Sequence, residues 1–149
     1  RQRVDGFEIG FSGNVSERLS LFGGLTLLDT EILASNVTTD IGGKLPNVAE
    51  TSFTVLAKYK MGPGLDVGGS VNYSSKVYGG TSSAGTTFLP SYWRFDVFAS
   101  YQLTEKVGVS LNVQNLTDEV YYDSLYRSSA PFTYIAPGRS ALITLDVDF

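Results

Sequence analysis

Apolar and polar residues exchange places at every second position over seven separate stretches of the chain, always in the same phase. The stretches lie near 7–15, 19–27, 53–61, 65–73, 93–103, 107–113 and 141–149. Within them the odd-numbered positions are apolar or aromatic at 32 of 35 places, and the exceptions are Gly13, Gly23 and Gly69. The even-numbered positions are polar or glycine except at Phe22, Leu56, Phe98 and Leu142. The stretch 93–103 shows it best: Trp93, Phe95, Val97, Ala99, Tyr101 and Leu103 alternate with Arg94, Asp96, Phe98, Ser100 and Gln102. A period of two places each set on one face of an extended strand, whereas a helix needs a period near 3.6. The pattern therefore predicts seven β-strands, each with one apolar face.

A soluble sandwich and a membrane barrel both satisfy that pattern. The connections separate them. Those around Ser16-Glu17, Met61-Gly62-Pro63-Gly64 and Thr104-Glu105-Lys106 are tight, while those around 30–49, 76–91 and 117–138 are long. The two classes alternate strictly, so all short turns fall at one end of the strands and all long loops at the other. Outer-membrane barrels have this asymmetry, with short periplasmic turns and long extracellular loops. Aromatic residues of the apolar set also sit near strand ends, as Tyr59, Tyr73, Trp93 and Tyr101 do, which suits two interfacial girdles. The last alternating stretch closes on Phe149, a residue expected to serve as a recognition signal for the outer-membrane assembly machinery. Seven strands are an odd number, and their two edges would face lipid unpaired. The expectation is thus an all-β, transmembrane antiparallel β-barrel fragment in the bacterial outer membrane, its lipid a partner along one face. About seven strands of a larger barrel are present, and the earlier ones lie outside residues 1–149.

Composition narrows the chemistry. Eleven basic against 15 acidic residues give a net charge of -4, and no Lys/Arg run offers a phosphate-tracking patch, so no nucleic-acid partner is expected. There is neither cysteine nor histidine. That excludes disulfides and thiolate metal sites, and with them the commonest general base and the usual hydrolase triad. The chain is expected to be no enzyme, with no metal site and no cofactor of its own. The glycine-rich stretch Gly79 to Gly85 lacks a following Lys-Ser/Thr and reads as a flexible loop instead of a phosphate cradle.

With the strands placed, particular residues resemble a known family. Asn112-Val113-Gln114-Asn115-Leu116-Thr117-Asp118 with Tyr121-Tyr122 resembles the run before the last loop of TonB-dependent siderophore receptors. Pro137-Gly138-Arg139 opens the final strand as the family's Pro-Gly-Arg does, and Val4-Asp5-Gly6-Phe7-Glu8 is similar to an earlier strand start. Gly43-Lys44-Leu45-Pro46-Asn47-Val48 resembles a family loop, with Ala49 replacing its final proline. Ser124 to Phe132 is similar to the last loop of catecholate-type receptors. The resemblance implies a 22-stranded barrel closed by an N-terminal plug, which this chain lacks. It implies uptake of a ferric siderophore, with iron arriving already chelated and TonB acting through the absent plug. A segment of some other porin or adhesin is the alternative.

The ligand candidates lie in the last loop: Tyr121, Tyr122, Tyr126, Arg127, Phe132 and Tyr134. Aromatic rings beside one guanidinium suit an anionic, aromatic iron chelate through stacking and charge-assisted hydrogen bonds. The competing reading is that the rings pack the loop onto itself. For Arg94, Asp96, Lys58 and Lys60 on the polar face, pairing with cross-strand neighbours is the expected role.

Overall fold

The computed structural model describes residues 1–82, 85–126 and 131–149. Eleven strands follow in order: β1 (Gln2–Asn14), β2 (Leu19–Ile32), β3 (Thr51–Gly62), β4 (Leu65–Ser74), β5 (Val77–Ser82), β6 (Gly85–Leu89), β7 (Tyr92–Thr104), β8 (Val107–Gln114), β9 (Tyr122–Tyr126), β10 (Phe132–Ile135) and β11 (Ser140–Val147). Seven of them form one antiparallel sheet in the order β1-β2-β3-β4-β7-β8-β11, an up-and-down meander. These are the seven strands the alternation predicts. β2 runs five residues past the alternating core, to Ile32, and β11 ends at Val147, although the Asp148 amide still donates to the Lys106 carbonyl at 2.9 Å.

Register explains why the alternation keeps one phase. Across the six strand pairs, up to the bulges that end β3 and β7 at the short turns, odd positions face odd positions: Ile9 meets Leu25, Leu25 meets Phe53, Phe53 meets Tyr73, and Tyr73 meets Trp93. The lower strands continue this, with Val97 opposite Val113 and Val113 opposite Ala141. A one-residue slip anywhere would send a whole strand's apolar set to the other face. Side-chain contacts respect the division. Phe53, Tyr73, Trp93 and Phe95 form a ring cluster on the odd face, with centroids 4.8–6.4 Å apart. On the even face Lys58 pairs with Asp66 at 2.6 Å and Arg94 with Asp96 at 3.1 Å. The cross-strand pairing expected of Lys58 is observed; Arg94 instead pairs within its own strand with Asp96, whose cross-strand partners are the polar side chains of Ser70 and Asn72.

The odd face stays apolar along β7 from Trp93 to Leu103. Ten residue steps at about 3.3 Å, on a strand tilted about 40°, give a band about 25 Å tall, the height an outer-membrane barrel presents to lipid. The short turns below it are built for tightness. Ser16 Oγ accepts from the Arg18 and Leu19 amides, and Gly64 adopts the left-handed φ of 74° that closes β3 to β4.

Candidate functional site at the long-loop end

At the other end the long connections are ordered by backbone pairing of their own. In the glycine-rich stretch read as a flexible loop, the described residues pair as strands, β5 with β6, bulged at Gly79. The last loop holds a second hairpin, β9 with β10, bulged at Asp123. A 3₁₀ turn, Thr38–Asp40, lies in the loop after β2.

The three loops are joined. The Asn47 amide donates to the Tyr78 carbonyl at 2.7 Å, and Ala49 bridges Val77, tying the first loop to β5. Leu125 of β9 seats against Gly79 of β5, where a β-carbon would run into Leu125 Cδ2. A side chain at Gly79 would push the ends of Leu125 and Thr87 aside. A cleft of about 470 Å³ opens between the two hairpins, lined among others by Phe88, Leu89, Tyr122, Leu125 and Phe132. Lys76 lies over the cross-strand rings of Tyr78 and Phe88, 4.5 and 5.5 Å from their centroids. In the first loop Lys44 bonds Asp29 at 2.8 Å and Glu50 at 2.5 Å. Those carboxylates, Asp29 first, raise the Lys44 ammonium above its ordinary range.

The candidate ligand residues divide into two groups. Tyr121 points inward: it is 7% exposed, its ring packs on Tyr92 at 4.4 Å, and its hydroxyl accepts from Arg94 Nη1 at 3.3 Å. Tyr122 is half-buried at the start of β9. Tyr126, Phe132 and Tyr134 are 57%, 49% and 57% exposed and form a ring series, centroids 4.9 and 5.7 Å apart. Arg127 lies outside the described residues. Phe149 follows the last strand with its side chain fully exposed.

The motif residues turn out to fasten the base of the last loop. Asn115, 1% exposed and held at φ 51°, accepts the Glu119 amide on Oδ1 and donates Nδ2 to the carbonyls of Glu119 and Pro137. Its own amide donates to Asp96 at 2.9 Å. Asp118 Oδ1 accepts the Arg139 amide at 2.8 Å, and Arg139 Nη1 reaches the Leu116 carbonyl at 3.4 Å. A short amide side chain tolerates the left-handed backbone and satisfies both legs of the loop at once, which is why asparagine stands there. Sequence reasoning missed Lys76, Tyr78 and Phe88. Their nearness in sequence was the available signal, hidden by the glycines between them.

Comparison with known proteins places this geometry. Residues 1–116 match the family model for the TonB-dependent receptor-like β-barrel. The probable TonB-dependent receptor BfrD of Bordetella pertussis is 38% identical, over all of this chain and 21% of its own length. The probable TonB-dependent siderophore receptor PiuA of Acinetobacter baumannii is 35% identical over 99% of the chain. The crystal structure of PiuA superposes on 98% of the chain with a TM-score of 0.87 at 32% identity. The closed form of Fiu, the ferric-catecholate import receptor of E. coli K12, superposes on 99% with a TM-score of 0.89 at 28% identity. The chain spans about one fifth of the length of the curated relatives it matches.

Proposed function

Because the chain belongs to the TonB-dependent receptor-like β-barrel family, we propose that it supplies wall strands and mouth loops of a receptor that imports ferric siderophores through the bacterial outer membrane. Its relatives are receptors, and the chain is not an enzyme. The observation that carries the reading is the shared parity of all six strand registers. It gives a sheet apolar toward lipid, polar toward a lumen, and crowned at one end by every long loop.

The outer edges of β1 and β11 carry backbone groups that no water would satisfy in hydrocarbon, at several kcal/mol each. Further strands of a closed barrel answer that need, with a plug inside the lumen as the element on which TonB acts. The relative PiuA is named a siderophore receptor and Fiu a ferric-catecholate import receptor, which supports the same substrate class here. Iron is then cargo, carried by its chelate. The exposed series Tyr126, Phe132 and Tyr134 offers ring faces to that chelate, and Arg127, next along the chain, offers the cation. Phe149 serves assembly: its deletion in the intact receptor lowers the rate of outer-membrane insertion in a pulse-chase, and an unchanged rate removes that role.

The test is uptake of radiolabelled iron by iron-starved cells lacking the receptor and complemented with it, supplied with ferric tris-catecholate, ferric tris-hydroxamate or ferric citrate. Receptor-dependent uptake of at least one chelate, abolished without TonB, is expected. No receptor-dependent uptake of any of them retires the reading. Arg127→Ala in the complementing gene should weaken chelate binding about tenfold, the loss of one charged hydrogen bond.

A further inference from the structure

We propose that Arg94 and Asp96, on the polar face of β7, are positioning residues that hold the hairpin β9–β10 at the angle from which it meets its ligand. This rests on the receptor reading above but concerns residues that face the lumen and not the medium.

Asp96 divides its two oxygens between wall and loop. Oδ2 collects the wall donors: Arg94 Nε and Nη2 at 3.2 and 3.1 Å, Ser70 Oγ at 3.1 Å and Asn72 Nδ2 at 3.1 Å. Oδ1 takes the backbone amide of Asn115, the residue that fastens both legs of the last loop. Arg94 divides its donors the same way. With Nε and Nη2 fixed on one carboxylate oxygen, the planar guanidinium has no freedom left in the direction of Nη1, and Nη1 lies 3.3 Å from the Tyr121 hydroxyl. Tyr121 immediately precedes β9, and its carbonyl accepts the amide of Ala136, the residue immediately after β10. The pair therefore grips both ends of the hairpin, one through Asn115 and one through Tyr121.

A plain intrastrand ion pair would account for the contact between Arg94 and Asp96 and for nothing else. It does not require the remaining oxygen to face Asn115, nor the remaining donor to face a buried tyrosine whose ring is already packed on Tyr92. Both leftover bonding directions go to the same loop. A binding loop held in advance costs less to order when ligand arrives, so its tether sets affinity without touching the ligand. The fixed fork is essential to the device. A lysine at 94 keeps the charge but holds Asp96 or Tyr121 with a flexible stem, not both in one plane.

The chain has no cysteine, so spin labels at Ser124→Cys on the hairpin and Glu105→Cys at the short-turn end are unique within it. The measurement is the distance distribution between them in the intact receptor, in lipid, together with affinity for the ferric chelate that it imports. Tyr121→Phe deletes one hydroxyl and leaves the ring, so folding is not at stake. In that variant, and in Arg94→Ala and Arg94→Lys, the distribution should broaden and affinity should fall about three- to tenfold, with the double variant no worse than Arg94→Ala alone. Distributions as narrow as the parent's in all three variants overturn the proposal. So does a loss of affinity without broadening, which would make Arg94 a ligand contact, and so does full function of Arg94→Lys, which would make charge the sole requirement. A parent receptor that binds no chelate sinks the siderophore reading alone, because the distances still decide the tether.

Discussion

The sheet's apolar band and the long-loop end follow different rules, though both are built on the same strands. Within the band a residue's number fixes its surroundings: Val97 and Val113 are odd and face outward, while Ser100 and Asp96 are even and face the lumen. Follow β2 upward and that rule reverses. Past Leu27 the odd positions become Asp29 and Glu31, bonded to Lys44 and Arg3, while the even positions Thr30 and Ile32 become buried under the loop. The Leu45 amide donates to Thr30 Oγ1, and the Ile32 amide to the Gly43 carbonyl. Lipid on one side enforces parity, and where lipid ends the chain's own loops decide what is covered.

The largest effect should come from breaking the rule inside the band. Arg in place of Val97, near mid-height on the outward face, should cost the intact receptor about 2–4 kcal/mol in folding titrations into lipid vesicles. Arg at Ser100, three residues on but facing the lumen, should cost much less. Equal penalties would mean that the two faces are not lipid and lumen.

Next come changes that act only above the band. Asn115→Ala leaves the Glu119 amide without an acceptor and removes the bonds to both legs, at about 2–3 kcal/mol. That cost should appear as faster amide exchange over residues 116–138 with unchanged protection in β3, β4 and β7. Leu125→Ala should cost about 2 kcal/mol, the low end for a buried leucine because the two hairpins can settle together. Its mark is exchange rising in β5 and β6 as well as in β9. Protection changed in β9 alone would show that the hairpins do not support each other.

The seven wall strands were legible because period two survives wherever a sheet separates two solvents. The hairpins were not, for a local reason. A bulge at Gly79 and another at Asp123 each insert one residue and flip the phase, so neither six- nor five-residue strand leaves enough regular alternation to count. Of the candidate site, the last-loop aromatics were visible as composition, but their division was not. Tyr121 is separated by 27 residues from Arg94, and only the register of the finished sheet brings the two together. Asn115 stood out by resemblance, while its reason, one side chain serving two loop legs, required the fold.

The smallest expected effect tests the comparison from the lumen side. Lys58 and Asp66 sit 2.6 Å apart on the polar face of β3 and β4, with side chains 39% and 26% exposed. If water reaches that face, breaking the pair by Lys58→Met should cost less than about 1 kcal/mol, because each charge recovers hydration when it loses its partner. The cost should shrink further as salt is raised from 0.01 to 0.5 M, over which screening falls from about 30 Å to only a few. A dry lumen wall predicts the opposite: stranding Asp66 would cost about 3–5 kcal/mol and salt would change little. Folding titrations of the intact receptor at two salt concentrations separate these outcomes. A penalty of several kcal/mol would mean that the even face at this height packs against something dry. The parity that divides lipid from lumen would stand, but the wet lumen assumed for Lys58 and Asp66 would not.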